Sequence, residues 1–136
     1  MTVIKLDHVG IIVKSVEATA AAIERTIGLK LEEVVNYKDI LRIGFIPIEG
    51  VGVELLEPTT SEGINAEFLR NRGEGVHHMA FQVDNLDTAV AHAVDQGAKV
   101  ILGPAEGARG NRIVFLAGDN MGDTIVELLE TPNSNA

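Results

Sequence analysis

The chain has no cysteine, which excludes disulfides and thiolate metal sites and fits a reducing compartment. Long apolar runs are missing too. None approaches the roughly 18 residues that a membrane-spanning helix needs, and Met1–Asp7 lacks the charged-then-apolar order of a secretory leader. The expected location is the cytoplasm, with no membrane partner. Basic residues are scarce: 11 Lys and Arg stand against 20 Asp and Glu, giving a formal net charge of -9, and they are nowhere clustered. Nucleic acid is therefore not an expected partner, because its phosphates need a basic surface. No segment is of low complexity. What remains is 136 residues that are 46% hydrophobic, enough to bury a core in a single domain spanning 1–136.

The most informative feature present is a repeat. The word Val-Glu-Leu-Leu-Glu occurs at Val53–Glu57 and again at Val126–Glu130. Upstream of each copy, Leu6–Val13 aligns with Val76–Val83 and sets His8 over His78. Both segments continue into a helix start, with Ser15 and Asn85 as N-cap types and acidic residues in the first turn. The helices are expected to end at Gly28 and Gly97. Apolar strands follow: Leu29–Val35 and Leu41–Ile48 in the first half, Ala98–Leu102 and Arg112–Leu116 in the second. The order is β-α-β-β-β written twice, at an offset of 70 residues for the histidines and 73 for the glutamates. Module 1 covers about 3–58 and module 2 about 76–131, joined by a linker over 59–75 carrying one short helix around Ile64 and Phe68, with Ser61 as a candidate cap. Asn133–Ala136 is expected to be a frayed polar tail.

Strand alternation decides which repeated residues meet. In each copy the first Glu shares a face with the second Leu, whereas the second Glu returns to the Val face at the strand end. Glu54 and Glu127 thus sit among Val, Ile and Leu, where a carboxylate is costly unless paired or bound to a metal. A lone histidine at a strand start reads first as structural. Four ligand-type residues at repeated positions read as a metal site, and a local two-fold would bring His8, Glu54, His78 and Glu127 to one divalent ion. Such N/O ligation suits Zn, Ni, Co, Mn or Fe without choosing among them. His77 is expected to point away from His78 and be structural or near the site. His92 is expected to be solvated, and Glu57 and Glu130 to be surface charges.

Paired β-α-β-β-β modules with this His…Glu…His…Glu order resemble the vicinal oxygen chelate superfamily, which includes glyoxalase I, extradiol dioxygenases, fosfomycin resistance enzymes and methylmalonyl-CoA epimerases. The words Asp7–Ile11, Val53–Pro58, Gly75–Phe81, Gly107–Ala108 and Arg112–Leu116 are most similar to the epimerases. The resemblance implies an α+β fold in which the paired modules form a curled mixed sheet around the metal. It implies an isomerase that removes the C2 proton of methylmalonyl-CoA, or a related 2-substituted malonyl-CoA, through a metal-stabilised enolate. His8, Glu54, His78 and Glu127 are the implied ligands, Glu127 is the implied acid/base, and a homodimer is implied. Two departures stand out. Arg42 occupies the position where some epimerases place a second glutamate; it and Arg112 become candidate substrate-binding residues, because a guanidinium clamps a carboxylate or phosphate but cannot act as a base. Ala117–Asp123 replaces the family's usual His-Pro-Lys word. The alternatives are a glyoxalase I-like lactoylglutathione lyase and a non-catalytic small-ligand-binding protein of the resistance type.

Overall fold

A computed structural model describes residues 2–132; the tail expected to fray, 133–136, lies outside the described residues. The elements are β1 (Val3–Ile12), α1 (Val16–Ile27), β2 (Glu33–Tyr37), β3 (Leu41–Ile48), β4 (Val51–Pro58), α2 (Ile64–Arg72), β5 (Gly75–Val83), α3 (Leu86–Asp95), β6 (Lys99–Glu106), β7 (Arg112–Ala117) and β8 (Ile125–Glu130). The fold is α+β, and β-α-β-β-β occurs twice, as the repeat required. The residues form two compact units. One is His8–His77, and the other joins the residues up to Asp7 with those from His78 onward.

In the His8–His77 unit, β2 pairs with β3 and β3 with β4, both antiparallel, and β4 runs parallel to β1 with Glu54 opposite Gly10. The parallel pair requires a crossover that starts with α1. Ser15 starts that helix by accepting from the Ala18 N–H at 3.1 Å, and Gly28 ends it in the left-handed region at φ 79. One side of the sheet packs on α1 through Val13, Val16, Ala20, Ile46 and Leu55. The approach is close at Gly44, where an added Cβ would lie 2.6 Å from Val16 Cγ1 and 3.0 Å from Leu31 Cδ1.

The second unit repeats this plan. β5 runs parallel to β8, β8 is antiparallel to β7, and β7 to β6. Asn85 caps α3 by accepting from the Thr88 N–H at 2.9 Å. Val83, Leu86, Ala89, Val114, Leu116 and Leu128 form the core between α3 and its sheet, while Ala80, Ile113 and Leu129 pack on the other face.

Several boundaries differ from expectation. α2 begins after Gly63 with no side-chain cap, so Ser61 is not its cap; the Ser61 carbonyl instead accepts from Arg70 at 3.0 Å. α3 ends at Asp95 with Gln96, not Gly97, as its C-cap. β2 starts at Glu33 rather than Leu29, because Leu29 and Leu31 turn into the α1 core instead of joining the ladder. β6 runs on to Glu106 across two register shifts.

Candidate functional site

The repeated word is two-faced, and each face has a separate task. In β4, Val53 and Leu55 turn toward α1, leaving Glu54 and Leu56 on the opposite face. His8 lies on that opposite face of neighbouring β1, with Nδ1 3.0 Å from Glu54 Oε2. In the second unit, Val126 and Leu128 pack toward α3, and Glu127 faces the other way. His78 Nε2 stands 3.1 Å from Glu127 Oε1. His8, His78 and Glu127 are buried and Glu54 nearly so, with 16% of its side chain exposed. Burial of this degree is tolerated because each carboxylate has an imidazole partner.

Apolar groups surround both pairs. Phe45 is opposite Glu54 in the ladder, and Phe115 is opposite Glu127. The Phe115 ring meets His78 edge to face at 5.1 Å. His77 alternates to the other side of β5, is buried, and meets Phe68 of α2 edge to face at 5.0 Å. His92 is exposed.

Each pair belongs to a group of donors that could hold a metal ion, Asp7 joining the pair of His8 and Glu54. The chemistry fits a divalent cation: imidazole nitrogen and carboxylate oxygen are borderline-to-hard ligands. Within the pairs the donor atoms lie 3.0 and 3.1 Å apart, a hydrogen-bond separation that keeps an imidazole nitrogen and a carboxylate oxygen side by side.

The second Glu of each word does not lie free on the surface. Glu57 Oε1 accepts from the Val16 N–H at 2.9 Å, and Glu130 Oε1 accepts from the Leu86 N–H at 2.9 Å. Each carboxylate thus meets the first backbone N–H of its own module's helix, where the helix dipole also favours negative charge. The expectation that Glu57 and Glu130 are surface charges is corrected accordingly; 18% and 13% of their side chains are exposed.

The arginines join these glutamates on the helix face. Arg42, opposite Glu57 in the ladder, donates to Glu57 at 3.2 and 3.3 Å and also to Glu17 in the first turn of α1. Hydrogen bonding to Arg42 holds the Glu17 carboxyl down from its ordinary 4.5 to about 2, and bonding to Glu17 and Glu57 pushes the Arg42 guanidinium further up. Arg112, opposite Glu130, donates to Asp87 in the first turn of α3 at 3.1 Å and lies 3.9 Å from Glu130. Both arginines therefore occupy the face opposite Glu54 and Glu127, with their donors turned toward the helix starts. Sequence reasoning missed these networks, although a signal was there. Arg42 and Arg112, like Glu17 and Asp87, stand at the same 70-residue offset as the histidines.

The model of the glyoxalase/bleomycin resistance protein/dioxygenase superfamily matches residues 7–115. An uncharacterized Bacillus subtilis protein, YqjC, is 32% identical over 129 residues, covering 93% of this chain and 91% of that one. The ethylmalonyl-CoA/methylmalonyl-CoA epimerase of Cereibacter sphaeroides is 32% identical over 129 residues, covering 91% of this chain and 96% of its own. Among solved structures, a variant of Streptomyces coelicolor methylmalonyl-CoA epimerase in complex with 2-nitronate-propionyl-CoA superposes with a TM-score of 0.86 at 28% identity, covering 96% of this chain and 99% of that one.

Proposed function

From the premise that this chain belongs to the glyoxalase/bleomycin resistance protein/dioxygenase superfamily, we propose that it is a metal-dependent epimerase of methylmalonyl-CoA or a closely related 2-substituted malonyl-CoA. The observation that carries the reading is the pair of buried imidazole–carboxylate contacts, His8 with Glu54 and His78 with Glu127, at repeated positions in a relative of epimerases. His8, Glu54, His78 and Glu127 would hold one divalent ion, and the two modules would work as a single domain around it. When bound, the ion supplies a Lewis acid that offsets the charge developing on the thioester oxygen as the C2 proton leaves.

The chain's own residues supply the rest. Glu127 takes or returns the C2 proton, and its buried setting against Phe115, Ala80 and Leu129 keeps water from competing. The imidazoles of His8 and His78 fix the orientation of the two carboxylates. Phe45 and Phe115 form apolar walls beside the carboxylates, which strengthens the charge interaction within each imidazole–carboxylate pair. Arg42 and Arg112, paired with Glu57 and Glu130, support the strands that carry Glu54 and Glu127, and as substrate-binding residues they would offer a guanidinium to a carboxylate or phosphate of the acyl-CoA. Among the described residues no helix is long and apolar enough to cross a membrane, which accords with a cytoplasmic enzyme. A homodimer is part of the proposal.

The test is isotope exchange. Metal-loaded protein should exchange the C2 hydrogen of (2R)- and (2S)-methylmalonyl-CoA with D₂O and interconvert the epimers. Absence of exchange with each of Co, Zn, Ni, Mn and Fe(II) would refute the epimerase reading. Turnover of the methylglyoxal–glutathione hemithioacetal instead would assign the chain to the lyases.

A further inference from the structure

A strand interior disfavours glycine, which has no side chain to pack and the most backbone freedom to lose. Gly52 stands inside β4 all the same, paired with Pro47 of β3 on one side and with His8 of β1 on the other. Its place in a continuous ladder calls for no turn, so the backbone does not require glycine there.

Alternation puts Gly52 on the face that carries Glu54, one strand spacing of about 5 Å from His8. Three rows cross this face of the His8–His77 unit. Pro47, Gly52 and His8 make the first, Phe45, Glu54 and Gly10 the second, and Ile43, Leu56 and Ile12 the third. Exposure falls from the first row to the third. Pro47 is exposed and Gly52 half-buried, Phe45 is buried beside a partly buried Glu54, and Ile43, Leu56 and Ile12 are all buried. Within this unit, therefore, the His8–Glu54 pair is approached from the Gly52 end.

The repeat is broken at this position. In the second unit the residue paired with His78 is Ile125 of β8, where the first unit pairs His8 with Gly52. Isoleucine suits a strand, and it sets a branched side chain next to the imidazole. Gly52 sets none there. The first module thus forgoes strand stability and keeps room beside its imidazole–carboxylate pair.

We propose that Gly52 determines which 2-substituted malonyl thioesters the site accepts, by leaving space for the alkyl group on C2; the inference rests on the epimerase reading. C2 carries four groups. The proton moves in the reaction, and the carboxylate and the thioester carbonyl both need polar partners. The alkyl group needs only space and an apolar lining. Gly52 and Pro47 offer both, and neither brings a side-chain donor or acceptor. Because this end of the face is the exposed one, an ethyl group fits there as well as a methyl.

The experiment compares the metal-loaded wild type with Gly52→Ile, which copies the second module, and with Gly52→Ala. Each is given methylmalonyl-CoA and ethylmalonyl-CoA, with kcat/KM read from C2 exchange in D₂O and affinity from calorimetry. One methylene crowded in an apolar pocket is worth about 10–200-fold, so Gly52→Ile should raise the preference for methyl over ethyl by that factor and weaken the binding of ethylmalonyl-CoA in step. Gly52→Ala should raise the preference by about threefold or more. Both side chains suit extended backbone better than glycine, and the Ala variant alone decides if the Ile variant does not fold. A preference unchanged by Gly52→Ala, or by a folded Gly52→Ile, overturns the assignment even where both thioesters lose activity equally. So does a wild type that accepts methylmalonyl-CoA and refuses ethylmalonyl-CoA. A wild type that exchanges neither thioester overturns the epimerase reading itself, which is a separate result.

Discussion

A helix start leaves backbone N–H groups without intrahelical partners, and in both modules a strand-end glutamate takes the first of them. Ser15 and Asn85 meet another. Replacing Glu57 with Ala removes a charge-assisted bond to the Val16 N–H and one of the two partners of Arg42, so urea unfolding should show a loss of about 1–3 kcal/mol. Glu130→Ala should cost a similar amount, and values within about 0.3 kcal/mol of zero for both would deny the capping role. Glu17 lies on the exposed surface and acts differently. Its folded-state value of about 2 lies below the ordinary 4.5, so its contribution is present above about 4.5 and is lost as pH falls through about 2. The stability difference between wild type and Glu17→Gln should hold from neutral pH down to about 5, close below that, and shrink with added salt. A difference unchanged by acid and by salt would contradict the Arg42–Glu17 pairing.

α1 and β3 approach closely at Gly44. With Val16 Cγ1 only 2.6 Å from a built Cβ, Gly44→Ala must push the helix start outward, costing about 1–3 kcal/mol in thermal or chemical unfolding. Adding Val16→Ala should return part of that loss, because the two positions share one contact; strict additivity would show that the strain lies elsewhere. β3 matches its sequence-based bounds, since Leu41–Ile48 is apolar apart from Arg42 and is closed by Glu49-Gly50. β2 and β6 were harder to read. Leu29 and Leu31 look like strand residues but pack beside a helix, and register shifts carry β6 past the point where its apolar run ends. The His–Glu pairs were legible because repetition marks them and alternation places them on one face. The arginine networks were not, because Arg42 meets partners 25 residues before it and 15 after it on two different elements. Local pattern gives no measure of such separations.

At the scale of the whole molecule, the proposed site makes a prediction about stoichiometry. Each pair supplies one imidazole and one carboxylate, and so few protein donors leave most positions on a divalent ion to water. Four donors with two negative charges balance the ion and hold it far better. Metal-free protein titrated with Zn, Co or Ni should therefore take up one equivalent per chain, not two. His8→Ala and His78→Ala, each disabling one pair, should both abolish tight uptake. Because the proposed ion would bind the folded chain alone, an ion at about 100 times its dissociation constant should add about 2.7 kcal/mol of stability, and chelation should remove it. His78→Ala should lose that metal-dependent increment while its metal-free stability stays measurable, which separates loss of binding from loss of fold. Two equivalents per chain, or one equivalent retained after His78→Ala, would mean that each module binds by itself. The one-ion proposal would then fail, and with it the role of Glu54 and Glu127 as ligands of a common centre.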